Sequence, residues 1–279
     1  SRERSRSPWP GRPRRLTTTA GPAPSTGRLL HDNGFGGFDP ETGEYVVRVS
    51  VDRPTPAPWI NVLANESFGT QVSAEGAGYT WWRNSRDNQL TPWRNDPVSA
   101  PVSEAIYVRD DLTGSVTAAT VAPLHDAAKT ARHGFGYTRF THATDTLALE
   151  QTVFVAPVDP VKISLVRVTN TSSAARTITV TSYAQPVLGM GLATAQRHLI
   201  TDIDPELRVL TARNPWSTGH PEQLCFVDHA GLQESWTGDR QEFLGVRGST
   251  DSPGALAAGG LLGAVGAGLD PCLAMQHRI

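Results

Sequence analysis

The sequence is poor in the features that mark membrane-embedded, metal-binding or disulfide-stapled proteins. Its two cysteines, Cys225 and Cys272, lie far apart and outside any CxxC spacing, so neither a zinc site nor a disulfide framework is indicated and reduced thiols fit. Lys129 and Lys162 are the only lysines, which leaves nearly all positive charge to arginine; codon bias and a need for bidentate hydrogen bonding both produce that pattern. A formal charge of -2 argues against a dedicated nucleic-acid binder. No run of about 18 apolar residues occurs, as a membrane span requires, and the arginine-bearing N-terminus lacks the apolar core and cleavage site of a signal peptide. The histidines show no HxH or HExxH spacing, and no GxSxG frames Ser85 or Ser164. The glycine strings NGFGGF (33–38) and HGFGYTRF (133–140) do not run into a phosphate-loop helix, so they read as turns. No metal and no cofactor is expected.

Turn formers and short β-prone runs make up most of what is present. From Tyr45 onward, YVVRVSV, WINVL, AIYVRD, ALEQTVFVA, VKISLVRVTN and TITVTSYAQPV are rich in valine, isoleucine, threonine and aromatics, separated by DPETG, DDLTG, PVDP and NTSSAA. In VKISLVRVTN, Val161, Ile163, Leu165 and Arg167 fall on one face, and Lys162, Ser164, Val166 and Val168 on the other. The strongest helical candidate, Met190 to Gln196, is short and opens on glycine. These patterns predict an all-β, mainly antiparallel sandwich over 28–279 with a tight turn at PVDP as the simpler reading, the alternative being a split near 155 into two smaller sandwiches with PVDP as linker. Residues 1–27 mix arginine, proline, serine and threonine without apolar periodicity, and are expected to form a disordered basic linker. The start at Ser1 and the end at Ile279, just after an apolar strand-like run, read as those of a fragment.

Chemistry-bearing residues are densest in GAGYTWWRNSRDNQLTPWRNDP (76–97). Aromatic faces cover the C–H face of a pyranose, and arginine, amide and carboxylate groups satisfy its hydroxyls, each of which costs about 1–3 kcal/mol to bury unpaired. The same residues also serve as core tryptophans and turn formers. Asp87, Asp96, Glu104, Asp110 and Asp111 could act as acids or bases, but no strand spacing sets a pair of them across a glycosidic bond.

Taken in order, RPTPAPWINVLAN (53–65), FGTQVSAEGAGYTWWRNSRDNQLTPWRNDPV (68–98), EAIYVRDDLTG (104–114), HGFGYTRF, DPVKISLVRVTN, NPW (214–216), TGDRQEFLG (237–245) and GAGLDPC (266–272) resemble glycoside hydrolase family 94. Within that family the resemblance is to the phosphorylase-like region of cyclic β-1,2-glucan synthases, and more distantly to cellobiose phosphorylase. It covers residues 29 to 279 and implies an N-terminal super-β-sandwich, galactose mutarotase-like, cut short at its C-terminal end. A helical linker and an alpha/alpha barrel would follow it. The active members use inorganic phosphate as co-substrate and invert the anomeric centre. Their general acid lies in the barrel, so no catalytic residue is assigned here. By position within the family's string, the resemblance implies Trp81, Trp82, Asn84, Arg86 and Asp87 as candidate substrate-binding residues, with Trp93, Asn95 and Asp96 shaping the loop.

By the same resemblance the partners would be a β-glucan oligosaccharide, the C-terminal barrel of the parent chain and a second copy in a homodimer, with no nucleic acid and no direct membrane contact. The location would be cytoplasmic, with a synthase parent anchored in the inner membrane by other segments. Three readings follow: a non-catalytic sandwich of a β-glucan-processing phosphorylase or synthase, a free-standing carbohydrate-binding module, and an inactive truncated remnant.

Overall fold

The structure is a computed structural model that describes residues 27–93 and 102–279. Most of the linker expected over 1–27 lies outside that range, as do Asn95 and Asp96. The chain is all-β, with every strand pairing antiparallel. In chain order the strands are β1 (Gly36–Phe38), β2 (Tyr45–Val49), β3 (Ile60–Ala64), β4 (Phe68–Ser73), β5 (Gly78–Trp82), β6 (Glu104–Asp110), β7 (Val116–Thr117), β8 (Lys129–Gly134) and β9 (Tyr137–Ala143). They continue as β10 (Leu147–Val155), β11 (Lys162–Asn170), β12 (Ile178–Ala184), β13 (Ile200–Ile203), β14 (Leu210–Arg213), β15 (Leu224–Val227), β16 (Ser235–Asp239) and β17 (Pro271–Arg278). The candidate helix near 190 is a single turn, α1 (Leu192–Ala195), and α2 (Arg240–Leu244) follows β16.

The turn chemistry is local and explains the hairpins. In the turn between β1 and β2, Asp39 Oδ1 accepts the Glu41 N–H at 3.0 Å. In the next such turn Asp110 Oδ1 accepts the Leu112 N–H at 3.0 Å, and Gly114 supplies a φ of 73°. The PVDP segment is a hairpin turn, closed by Ala156 N–H to Val161 O at 2.9 Å and flanked by the nine-residue register of β10 with β11.

Four sheets result: a six-stranded β1-β2-β8-β9-β10-β11, a five-stranded β16-β17-β12-β6-β7, and the three-stranded β13-β14-β15 and β3-β4-β5. Strand alternation makes the five-stranded sheet the central layer. On one face Val108, Ile178 and Val180 meet Val47, Phe140, Leu149 and Val153 of the six-stranded sheet together with Leu63 and Val72. On the same face, farther along, Leu273 and Met275 meet Leu188, Leu199, Leu210 and Ala212. On the opposite face Tyr107, Tyr183 and Cys272 pack under Phe243, Leu244, Leu256 and Leu261. Burying each large apolar side chain contributes about 1.5–3 kcal/mol.

In β11 the face carrying Lys162 and Val168 is the inward one. Val168 packs on the core and Lys162 pairs with Glu104, whereas Leu165 of the other face is 54% exposed.

Candidate functional site

The tryptophan-rich segment straddles its own sheet. Trp81 and Trp82 are consecutive on β5, so their side chains leave opposite faces. Trp81 lies over the backbone of Gly69 on the neighbouring strand; a Cβ there would sit 2.3 Å from the indole. Its ring is 5.1 Å from that of Tyr79, which is in turn 5.9 Å from Trp93. These three rings form one row on the outer face. Trp93 is tied to the turn by its N–H, which donates to Gln89 Oε1 at 3.0 Å. Burial pushes the Tyr79 phenol up from its ordinary value, partly offset by the Ser85 hydroxyl.

Trp82 belongs to the other side. The Arg83 guanidinium lies 4.3 Å from its ring centroid, and His220 meets it edge-on at 5.1 Å. Arg83 has φ 60°, an uncommon conformation for a residue other than glycine, and its N–H donates to Ser67 O at 2.7 Å. The turn that follows is built by Asn84, whose Oδ1 accepts the N–H groups of Arg86 and Asp87, each at 2.9 Å. That leaves Arg86 and Asp87 projecting into solvent, with side chains 87% and 55% exposed and a loose 3.9 Å ion pair. Such a pair contributes little to stability.

Two distant loops complete this side. Gln89 and Gly189 exchange backbone hydrogen bonds at 3.0 and 3.1 Å, fastening the tryptophan turn to the 188–198 segment. Asn214 Nδ2 donates to Leu188 O at 3.0 Å, which brings in the loop 214–223. That loop delivers His220 to Trp82 and stacks Trp216 on His198 at 5.2 Å and 28°. Trp216 is 74% exposed, which makes it the most open indole among the described residues. Trp82, Asn84, Arg86 and Asp87 therefore share one turn. Trp81 and Trp93 sit together on the far face of β5. The sequence pattern does not single out Trp216, His220 or His198: the His220 contact with Trp82 spans 138 residues and the Trp216 stack on His198 spans 18, and neither leaves a local signal.

Glu104, Asp110 and Asp111 have structural partners. Glu104 accepts hydrogen bonds from Thr91 (2.6 Å) and Thr80 (2.7 Å) and pairs with Lys162. Burial raises its pKa, but Lys162 and the hydroxyls outweigh that and hold it below the usual carboxylate range. Asp110, raised by burial, is brought down further by the Leu112 N–H and by Arg176. Asp111 pairs with Arg109 at 2.9 Å. A third buried group, Glu44, takes the Tyr137 hydroxyl at 2.8 Å and the Arg139 guanidinium at 2.7 Å; these and Arg132 overcome the effect of burial and lower its pKa.

The model of the glycosyl hydrolase 94 supersandwich domain matches residues 43–279. The chain belongs to that family. Among relatives of this supersandwich, the cyclic beta-(1,2)-glucan synthase of Rhizobium meliloti is 41% identical over 250 residues, covering 88% of this chain and 9% of the relative. An N,N'-diacetylchitobiose phosphorylase of Vibrio furnissii is 28% identical over 81% of the chain and 29% of its own length. A solabiose phosphorylase of Paenibacillus borealis is 28% identical over 88% of the chain and 32% of its own length. The supersandwich thus spans at most about a third of these relatives. Among the described residues no helix is long and apolar enough to cross a membrane.

Proposed function

We propose that this supersandwich is the non-catalytic, carbohydrate-binding and scaffolding part of a β-glucan-processing protein, an inverting phosphorylase or a cyclic β-1,2-glucan synthase. In this reading it forms one wall of the substrate cleft of an alpha/alpha barrel and takes a β-glucan oligosaccharide on its Trp82 side. Inorganic phosphate would be the parent's co-substrate and would bind elsewhere.

The observation that carries the proposal is the fastening together of the tryptophan turn, the 188–198 segment and the loop 214–223, which between them carry an open Trp216 stacked on His198, Trp82 with its Arg83 and His220 neighbours, and the projecting Arg86 and Asp87. An aromatic platform beside planar donors and acceptors is what a pyranose needs. The non-catalytic role is supported by the carboxyls with displaced pKa values: Glu44, Glu104 and Asp110 are all displaced downward, whereas a general acid must stay protonated near neutral pH.

Calorimetric titration with linear β-1,2-gluco-oligosaccharides, with cello-oligosaccharides as control, tests the reading. Selective binding that falls about tenfold in Trp216→Ala and in Arg86→Ala is expected, and both exposed changes should leave the fold intact. A cooperatively folded chain that binds neither sugar would refute the carbohydrate-binding part.

A further inference from the structure

The three-stranded sheet β3-β4-β5 ends on β3, and the side chains of that strand alternate. Asn61 turns inward and donates from Nδ2 to Gly134 O and Tyr137 O, and Leu63 is buried beside it. Ile60, Val62 and Ala64 turn outward, Ile60 45% and Val62 55% exposed. The ladder fixes which backbone groups are left over. Asn65 N–H donates to Phe68 O at 2.9 Å and Ala74 N–H to Trp59 O at 2.8 Å, so in the register Ile60↔Ser73 to Ala64↔Gly69 the odd-numbered residues of β3 are the ones bonded to β4. The N–H and C=O groups of Ile60, Val62 and Ala64 therefore point to the free edge, and no described residue takes them up. Sheet edges are normally blunted by a charge, a proline or a bulge. β11, at the edge of the six-stranded sheet, carries Lys162 and Arg167, whereas β3 has none of these devices from Ile60 to Ala64. Such an edge accepts an added strand.

We propose that β3 pairs with β3 of a second copy of this chain, antiparallel about a two-fold axis through Val62. Three features select a second copy over an unrelated strand. The free groups sit at alternate positions symmetric about Val62, so Val62 faces Val62 and Ile60 faces Ala64, and each facing pair exchanges both of its main-chain bonds, about six in all. The long side chain of Ile60 then lies beside the short one of Ala64. The outward face of the sheet, which continues from β3 through Gln71 to Tyr79 and Trp81, bears no charged residue, so an isologous contact brings no like charges together. Trp82 leaves the opposite face of β5, and pairing at the β3 edge keeps the Trp82 side open.

The test is sedimentation velocity of the whole chain and of Val62→Lys and Val62→Glu, with hydrogen exchange read by NMR at the Ile60, Val62 and Ala64 amides. The chain should sediment as a dimer that dissociates on dilution, with those three amides protected in the dimer and exchanging freely in the monomer. Either substitution sets a charge against its own copy across the axis and should weaken the dimer about tenfold or more. Because Val62 is exposed, the far-ultraviolet circular dichroism of both variants should match that of the parent. An equimolar mixture of the two variants should dimerise again, since opposite charges then face each other. The proposal is overturned if the chain is monomeric at every concentration measured, if the dimer leaves those amides freely exchanging, if either variant dimerises as the parent does, or if the mixture stays monomeric.

Discussion

His220 meets the indole of Trp82 edge-on, ring centroids 5.1 Å apart, across 138 residues of chain. This contact joins the loop that bears Trp216 to the turn that bears Arg86. Trp82→Ala and His220→Ala should therefore be non-additive. A double-mutant cycle on chemical denaturation is expected to return a coupling of about 0.5–1.5 kcal/mol, and strict additivity would mean that the loops fold independently.

Gly69 is required by the indole lying on it. In Gly69→Ala the new Cβ would stand 2.3 Å from Trp81 Cζ2, so the ring must leave its row with Tyr79 and Trp93. A cost of about 1–3 kcal/mol is expected, with an altered near-ultraviolet circular dichroism signal from the displaced ring. Wild-type stability with an unchanged aromatic signal would rule out that packing.

Lys162 neutralises Glu104 between two sheets, with about a fifth of each side chain open to water. Lys162→Met strands the carboxylate and should cost roughly 2–3 kcal/mol at neutral pH, toward the low side for a buried pair because of that exposure. The double change Lys162→Met with Glu104→Gln should recover most of the loss, as read from urea midpoints.

Acid sensitivity should come from partly buried histidines. His229 Nδ1 lies 2.8 Å from His277 Nδ1 and His229 Nε2 lies 2.7 Å from Ser182 Oγ; burial, then the neighbouring imidazole, bring the His229 pKa down to about 4 from 6.5, against a smaller opposing effect of Asp228. Burial lowers His133 to about 4 as well. A base whose pKa is depressed in the fold binds fewer protons there than in the unfolded chain, so stability is full above about pH 6.5 and falls as the pH drops toward 4. His229 alone should remove about 2 kcal/mol between pH 8 and pH 5. His229→Gln should flatten the midpoint-versus-pH curve over that window; an identical curve would exclude His229 as a source.

The architecture was readable in the sequence because its signals are local. Alternation marks the strands, and Asp39, Asp110 and Gly114 make turns through hydrogen bonds and dihedrals within four residues. The inward face of β11 could not be read, because it is decided by Glu104, 58 residues away, drawing Lys162 inside while Leu165 stays exposed. Within the candidate site, the turn that groups Asn84, Arg86 and Asp87 follows from the Asn84 side chain. The separation of Trp81 from Trp82 follows from the period of a strand, which a reading by composition passes over. Trp216, His198 and His220 were invisible because only the folded chain stacks Trp216 on His198 and sets His220 against Trp82.

The most direct measurement is to follow the tryptophan indole N–H resonances of the folded chain during titration with a linear β-1,2-gluco-oligosaccharide. If the Trp82 side is the sugar face, the Trp82 and Trp216 signals shift in a saturable way while Trp81 and Trp93 stay in place. Shifts confined to Trp81 and Trp93, or no shift at saturating sugar, would contradict it.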